Sequence, residues 1–364
     1  MALSFLLVAC GGDDEEGTED TSGEDTGTEE GTDEGSEGGE EAAGDFEAQE
    51  WRFVTEELPG EVQYEYAAEF ANRIDEKTGG QIEVTPYEFG GLGSEVDQAQ
   101  SLQQGAVELA VMSPGFTGGQ VVEGQLFSLH FLFPEDQEQT QEILNTSEAL
   151  NTDLRERYEE HSITPLAYWT EGAMNWTSNN GISAPSDFEG FNMRVQESPL
   201  MREAYNAYGA EVQALSWGEL YTGLDQGTVD GQENPLFFIN SAGFHEVQDT
   251  LTLSSHNNYV AMTTVNTDWY NGLDDNVKSV IDETVEEMQS WVFDEQKRQN
   301  EEALTAIEED TENATEIIEL TEEDRQAFVE LATPVYDFYR SEVSEVDGAI
   351  LDKLEEEIAE VTGE

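Results

Sequence analysis

Arg194 is the residue best suited to binding a ligand. It lies in the middle of an apolar segment, Phe191 to Val195, that is predicted to form a strand. It is also one of only 13 basic residues in a chain that has 83 acidic ones. A planar guanidinium can hold a carboxylate through two parallel hydrogen bonds. The residues alone leave two partners open: the carboxylate of a ligand, or an acidic side chain of the protein in a structural salt bridge.

Trp217 and Asn234 are two further candidates for contact with a ligand. Trp217 begins a helix that is predicted from the helical spacing of the apolar residues between 217 and 224. Asn234 directly precedes Pro235, which favours an extended conformation and marks the start of the next helix. Each has a structural alternative, because Trp217 could be a core residue at a helix start and Asn234 a helix cap.

The remaining motifs do not indicate catalysis or metal binding. The chain has four histidines, which share no spacing typical of zinc ligands, and a single cysteine. It contains no Gly-x-Ser-x-Gly nucleophile elbow. The glycine-rich segment 90–93 lacks the lysine and hydroxyl residue of a phosphate-binding loop, so a turn is expected there. We therefore predict no catalytic residue, no metal site and no cofactor.

The acidic composition excludes some classes of partner. The formal net charge is −70, so the phosphates of a nucleic acid would be repelled, as would an anionic membrane surface. All basic residues follow position 50, yet acidic residues outnumber them there too, so the folded part is itself acidic. Such a surface remains soluble where salt screens its self-repulsion, and this favours a halophilic habitat, with an alkaline one as the alternative.

The first 50 residues are predicted to lie outside the folded part. Residues 1–10 form a short apolar run that ends in Leu7-Val8-Ala9-Cys10, and this run looks like a bacterial lipobox without the usual basic start. In such a signal Cys10 is lipidated, and a stray thiol is the alternative. Residues 11–50 are mostly Gly, Glu, Asp, Thr and Ser, which predicts a disordered, self-repelling tether.

Strands and helices alternate after residue 50. Strands are predicted at 51–54, 82–87 and 107–112, with amphipathic helices between them. This order predicts an α/β fold with a mostly parallel sheet. Ser113 follows the third strand, at the end where such sheets bind ligands. Apolar residues that recur at three and four between 273 and 292 predict a long helix.

Two segments resemble motifs of the solute-binding proteins of TRAP transporters, the DctP-like family. Residues 190–195 read Gly-Phe-Asn-Met-Arg-Val, similar to the family's G-x-K-x-R-V strand. Residues 217–235 match its long F-x-E-x-Y-x-A-L-Q-x-G-x-V-D-G-Q-E-N-P segment almost without gaps. The resemblance implies that Arg194 binds the solute's carboxylate. It also implies that Trp217 packs over the solute and that Asn234 contacts the solute's polar end.

The resemblance also implies an architecture. We expect a two-lobed, periplasmic-binding-protein-like α/β fold (type II-like), with a cleft between the lobes and a long helix that spans the hinge. We assign residues 51–170 and 257–300 to the first lobe, and residues 171–256 and 301–364 to the second.

The opposite wall of the cleft is expected to come from the first lobe. Glu56 follows its first strand and Ser113 its third, although solvated loop positions are the alternative for both. Many relatives that bind acidic sugars carry a second arginine where this chain has Met174, and Trp176 follows it. The site would then offer one cation, Arg194, one carboxylate, Glu56, and soft or aromatic walls from Met174, Trp176 and Trp217. This combination suggests a solute with a single carboxylate and a neutral or cationic body. An ectoine-like or amino-acid-like zwitterion fits, and so does a keto or hydroxy acid.

The function implied is that of an extracytoplasmic receptor. The protein would capture a small carboxylate solute and deliver it to the membrane permease of a TRAP transporter, without chemistry on the solute. The lipobox implies a lipid-anchored protein that lies in the periplasm or at the outer face of the cell membrane. A solute-sensing input protein and an enzyme on a similar scaffold are the alternatives.

Overall fold

The computed structural model describes residues 46–196, 198–346 and 348–363. The predicted lipobox with Cys10, and residues 11–45 of the predicted tether, lie outside them. The first strand already begins at Gln49, which pairs with Ile82 of the next strand. The end of the tether, predicted at residue 50, is therefore placed too late.

Eleven strands and twelve α-helices make up the described chain. Strands β1 to β11 are Gln49–Val54, Ile82–Tyr87, Leu109–Met112, Ile163–Ala173, Asn175–Ser178, Asn192–Val195, Glu211–Ala214, Gly231–Asn234, Thr250–Leu253, Asn258–Asn266 and Glu316–Glu319. Helices α1 to α12 are Val62–Thr78, Glu95–Gln103, Pro114–Thr117, Gln137–Thr146, Arg155–Glu159, Pro199–Tyr208, Trp217–Asp225, Leu236–Ser241, Thr267–Gly272, Asp275–Glu309, Glu322–Phe338 and Ala349–Thr362. Short 3₁₀ or π segments are Val122–Ser128, Ala149–Leu154, Pro185–Phe188, Phe244–Glu246 and Tyr339–Val343.

The strands form two sheets, one in each lobe. The first sheet has the order β2-β1-β3-β10-β4, in which β1 to β3 are parallel and β10 runs against both β3 and β4. The second has the order β11-β9-β5-β8-β6-β7. Each sheet is mixed. In the first, β10 returns from the second lobe and runs antiparallel to its neighbours, and in the second, β5 enters from the first lobe and runs antiparallel to β8 and β9.

Two chain crossings join the lobes side by side. One runs from β4 through Met174 into β5, and the other runs from β9 through residues 254–257 into β10. The backbone N–H of Met174 donates to the carbonyl of Asn257 at 2.8 Å, so the crossings are hydrogen-bonded to each other. Helix α10, 35 residues long, packs on α1 and β4 of the first lobe and on α8 of the second. The predicted long helix thus spans both lobes.

The last helix, α12, does not pack where the expected assignment of residues 301–364 to the second lobe would place it. Helix α12 packs on α4 and on the π segment Ala149–Leu154, which lie outside the second sheet. Its apolar face places Ile350, Leu351 and Leu354 in the core cluster that contains Leu144. Hydrophobic burial, which is not directional, decides this position.

No helix within the described ranges is both long enough and apolar enough to cross a membrane.

Candidate functional site

Arg194 lies on β6 with 3% of its surface exposed. Its Nε and Nη2 donate to the carbonyl of Leu215 at 3.1 and 3.0 Å, and no carboxylate of the described chain accepts a hydrogen bond from it. A guanidinium has five N–H donors, so three remain for a ligand. Burial lowers the pKa of Arg194 to about 10, and the side chain therefore stays charged at neutral pH.

Asn234 shares the face of the second sheet that carries Arg194. The register pairs Met193 with Gly231, so Arg194 points to the same side as Gln232 and Asn234. The side-chain amide of Asn234 donates to the Gln232 amide oxygen. Asn234 is therefore held by its own strand and not by a helix cap.

Glu56 and Ser113 meet at the C-terminal ends of β1 and β3. Glu56 Oε2 accepts a hydrogen bond from the backbone N–H of Ser113 at 3.0 Å. The other carboxylate oxygen and the Ser113 hydroxyl are buried without a hydrogen-bond partner among the described residues. Burial, reinforced by the nearby charge of Glu95, raises the pKa of Glu56 well above its ordinary value.

A second pair of buried carboxyls lies next to Glu56. Gln63 holds both of them: its backbone N–H donates to Glu57 at 2.6 Å and its side chain donates to Glu171 at 2.8 Å. Burial raises the pKa of both groups, that of Glu171 to about 7. Each keeps one oxygen with no hydrogen-bond partner in the described chain, and a proton shared between the carboxyls would satisfy both. Sequence reasoning missed this pair, because acidic residues are too common here to stand out.

Glu95 is a third missed carboxylate. Ser94 caps helix α2 through a reciprocal pair of hydrogen bonds with Asp97, and this fixes Glu95 at the first helical position. Glu95 is 5% exposed, and burial raises its pKa. It lies within electrostatic reach of both Arg194 and Glu56, and it therefore links the two walls.

Tyr259 and Met174 lie where the walls meet. Both line a cavity of about 30 Å³, together with Ser113 and Gln196. A methyl group placed on Gly115 would lie 1.8 Å from Gln196 Oε1, so the two walls touch here. That volume is close to the space of one water molecule. This cavity is therefore too small for a solute.

Trp217 belongs to a chain of aromatic rings that leads to Tyr259. Its ring centroid lies 4.9 Å from that of Phe238, which in turn lies 5.7 Å from that of Tyr259. The other side of Trp217 packs on Phe244 at 5.4 Å. Trp217 is only half-buried, which is compatible with both the ligand-wall and the core interpretations.

Trp176 does not lie where we expect a cleft residue. It pairs with Glu233 across β5 and β8, on the sheet face opposite Gln232, and it is fully buried. Its Nε1 donates to the Tyr205 hydroxyl at 2.9 Å, and its ring stacks on His256 at 4.4 Å. The expectation that Trp176 lines the cleft is therefore corrected, because strand alternation turns it into the core while its neighbours on the strand face the other way.

Three side chains that can ligate a metal meet behind this sheet. One ligand atom each from His130, Glu233 and His256 lies within 4.8 Å of the others, and all three residues are buried. Burial lowers the pKa of both imidazoles, that of His130 to about 3, so both are neutral at neutral pH. Local spacing could not reveal this group, since its members come from three distant segments.

The charges of the cleft are strongly asymmetric. The guanidinium of Arg194 interacts electrostatically with Glu233 and Glu95, and Glu95 in turn belongs to a group of buried carboxyls with Glu56, Glu57 and Glu171. Three of the four keep a buried oxygen that is unpartnered in the part of the chain described. A buried carboxylate needs a partner or a proton, so this wall can accept a cation or hydrogen-bond donors.

Comparisons with known proteins agree with this arrangement. A model of the family described as bacterial extracellular solute-binding protein, family 7, matches residues 53–342. The ectoine-binding periplasmic protein TeaA of Halomonas elongata is 32% identical over 314 residues, which are 86% of this chain and 91% of that protein. The C4-dicarboxylate-binding periplasmic protein DctP of Rhodobacter capsulatus is 31% identical over 272 residues, 74% of this chain and 80% of that protein.

The fold is matched by solved structures as well. The structure of the periplasmic ectoine-binding protein of the TeaABC TRAP transporter of Halomonas elongata has a TM-score of 0.82 at 32% identity. The match covers 85% of this chain and 99% of that one. The predicted two-lobed α/β fold and the predicted resemblance to TRAP solute-binding proteins are both confirmed.

Proposed function

We propose that the cleft of this chain, which belongs to family 7 of the bacterial extracellular solute-binding proteins, takes a zwitterion with one carboxylate and one cationic group. As a member of that family, the protein is the solute receptor of a TRAP-type secondary transporter, and it captures a carboxylate-containing solute for the membrane permease. The proposal concerns which solute it takes and which residues hold it.

The observation that carries the proposal is the separation of charge across the cleft. Arg194 has three N–H donors left after its two bonds to Leu215, and a carboxylate can take two of them in parallel. Glu56 offers a buried carboxylate oxygen without a partner in the described chain, and Glu95 lies between the two. Burial already disfavours ionisation of these acidic groups, so a second carboxylate on the solute would be unfavourable beside them, whereas a cationic group would stabilise their charged form.

The aromatic rings support the same class of solute. Trp217, Phe238 and Tyr259 form a continuous edge beside the charged groups. The face of an aromatic ring attracts a cation, most strongly when both are removed from water. A compact cyclic zwitterion such as ectoine, the ligand in the name of the Halomonas relative, combines these requirements. Hinge closure around it would bring the two walls together.

Calorimetric titration with ectoine and with succinate tests the proposal. Ectoine carries one carboxylate and one delocalised cation, while succinate carries two carboxylates, as a C4-dicarboxylate of the kind in the name of the Rhodobacter relative does. We expect ectoine to bind and to raise the melting temperature with concentration, and succinate to do neither. Binding of succinate without binding of ectoine would refute the zwitterion proposal while leaving the receptor function intact.

We further propose that the solute leaves the cleft unchanged and that Cys10 anchors the protein to a membrane. The support for the anchor is the apolar run before Cys10 and the acidic tether after it. With Cys10→Ala, the protein is expected to move from the membrane fraction to the soluble fraction. Equal amounts of wild type and variant in the membrane fraction would contradict the anchor. Mass spectrometry of the recovered solute tests for chemical change.

A further inference from the structure

A closed polar cluster lies on the core side of the second sheet, away from the cleft face of Arg194. His256 Nε2 lies 2.5 Å from a carboxylate oxygen of Glu233 and 3.1 Å from the Tyr205 hydroxyl. Tyr205 also donates to the same Glu233 oxygen. His130 completes the cluster, with its ring centroid 4.7 Å from that of His256. Glu233 interacts electrostatically with Arg194, whose own hydrogen bonds go to the Leu215 carbonyl and not to this cluster.

Two atoms of the cluster are buried and unpartnered within the described residues. They are His130 Nε2 and the second carboxylate oxygen of Glu233, Oε1. The two residues are 1% and 3% exposed. A native core rarely leaves such atoms without a partner, so each requires an explanation. Both residues belong to the group of three in which one ligand atom from each residue lies within 4.8 Å of the others.

The other nitrogen of each imidazole is already held in place. His130 Nδ1 lies 2.9 Å from the Tyr208 hydroxyl, and His256 Nδ1 lies 2.7 Å from the Ser254 hydroxyl. Histidines that ligate a metal almost always use the second ring nitrogen in a hydrogen bond of this kind, which fixes the ring orientation. In both rings Nδ1 is therefore occupied, which leaves Nε2 as the atom available to a metal. A water molecule could bridge two atoms here, but it would not account for two oriented imidazoles and a carboxylate together.

We propose that His130 Nε2, His256 Nε2 and the carboxylate of Glu233 form a binding site for a divalent transition-metal ion of the zinc class. Two imidazoles and a carboxylate are a ligand set that zinc takes, with a fourth position left for water or for the Tyr205 hydroxyl. Imidazole ligands favour such an ion over Mg²⁺ or Ca²⁺, which prefer oxygen. The bound ion would replace the direct contact between His256 and Glu233.

The site joins segments that meet at the hinge. His256 belongs to the crossing from β9 to β10, and Glu233 to the centre of the second sheet. The backbone N–H of Phe131, next to His130, donates to the carbonyl of His256 at 2.7 Å. A bound ion would therefore tie one crossing to the second sheet and to the loop at His130. We expect Zn²⁺ to raise the melting temperature of the protein in the absence of solute.

Zinc itself is the probe for the test. The full chain is stripped with a chelator, incubated with one to three equivalents of Zn²⁺, and passed through gel filtration in high salt with excess Mg²⁺, which occupies the acidic surface. We expect about one zinc per chain by elemental analysis, and a tetrahedral visible spectrum when Co²⁺ replaces Zn²⁺. Refolding in the presence of Zn²⁺ gives the ion access to the buried site should exchange be slow.

Matched variants separate this site from surface binding. His130→Gln and His256→Gln should lose the retained ion, whereas His161→Gln, which changes an exposed histidine, should retain it. Tyr208→Phe keeps all three ligands but removes the partner of His130 Nδ1, and it should weaken affinity by about 10- to 100-fold. Tyr208→Phe also provides a test of the site should the histidine variants fail to fold. No retained zinc in the wild type after both incubation and refolding, or equal retention by the His130 variant, would overturn the proposal.

Discussion

Replacing Arg194 with alanine tests the centre of the proposed site, and the structure allows two separate effects to be estimated. The substitution removes the hydrogen bonds from Nε and Nη2 to the Leu215 carbonyl. Losing the partners of an acceptor in this setting costs about 1–3 kcal/mol of unfolding free energy. The solute-free variant should therefore remain folded but melt several degrees below the wild type.

The effect on solute affinity is expected to be larger. A carboxylate that enters the closed cleft of the variant leaves water without gaining its guanidinium. Removing one member of a buried charge pair costs about 3–5 kcal/mol, which corresponds to a loss of roughly 10²- to 10⁴-fold in affinity. Arg194→Lys retains the charge but lacks the planar guanidinium, whose N–H groups can donate to the Leu215 carbonyl and to the solute at the same time. It should lie between the wild type and the alanine variant.

Isothermal titration with ectoine measures these losses, and Arg202 provides a matched control. Arg202 also donates to a backbone carbonyl, that of Val212, at 2.9 Å, but it is exposed and its contact lies outside the cleft. Arg202→Ala should bind ectoine as the wild type does. If Arg194→Ala retained affinity to within about threefold, Arg194 would be a structural residue and the charge argument for the solute would fail.

Three other predictions follow from the buried groups. Glu56→Gln removes a buried carboxylate. It should therefore weaken ectoine binding by about 10- to 100-fold without lowering the melting temperature of the solute-free protein. A fall in stability with unchanged affinity would contradict this role. Glu171 has a pKa raised from 4.5 to about 7, so the folded state binds a proton that the unfolded state has released over that range. The contribution of this proton to stability is full below pH 4.5 and is lost as the pH rises through 7. Glu171→Gln should therefore flatten that part of the plot of melting temperature against pH. An unchanged slope would refute the coupling with Glu57. Trp176→Phe should lower stability by about 1–3 kcal/mol through the lost bond to Tyr205 yet leave solute affinity unchanged, and a large loss of affinity would return Trp176 to the cleft.

Local patterns account for the features that sequence predicted well. The apolar residues at three and four between 273 and 292 indicated helix α10. Arg194 stands out because an arginine inside an apolar strand is rare in any chain, and above all in one this poor in basic residues. Such signals act over a few residues, so they can be read without knowing the rest of the fold.

Residues far apart in the chain needed the tertiary structure. Glu57 and Glu171 share Gln63 only because β1 and β4 belong to one sheet. In a chain with 83 acidic residues, neither could be singled out by its type. Histidines 130 and 256 likewise come together only when the loop before α4 packs on the hinge crossing.

The sequence by itself determined the family through two motifs, and the resemblance they carry implied the two-lobed architecture and the role of Arg194. Motifs of this kind depend only on residue type and local spacing. The tertiary structure alone decided which way each side chain faces and which distant groups become neighbours. Trp176 shows the difference, since its position in the sequence, two residues after Met174, did not reveal that its side chain points into the core. Burial and long-range pairing set that orientation, and neither is encoded in any short stretch of residues.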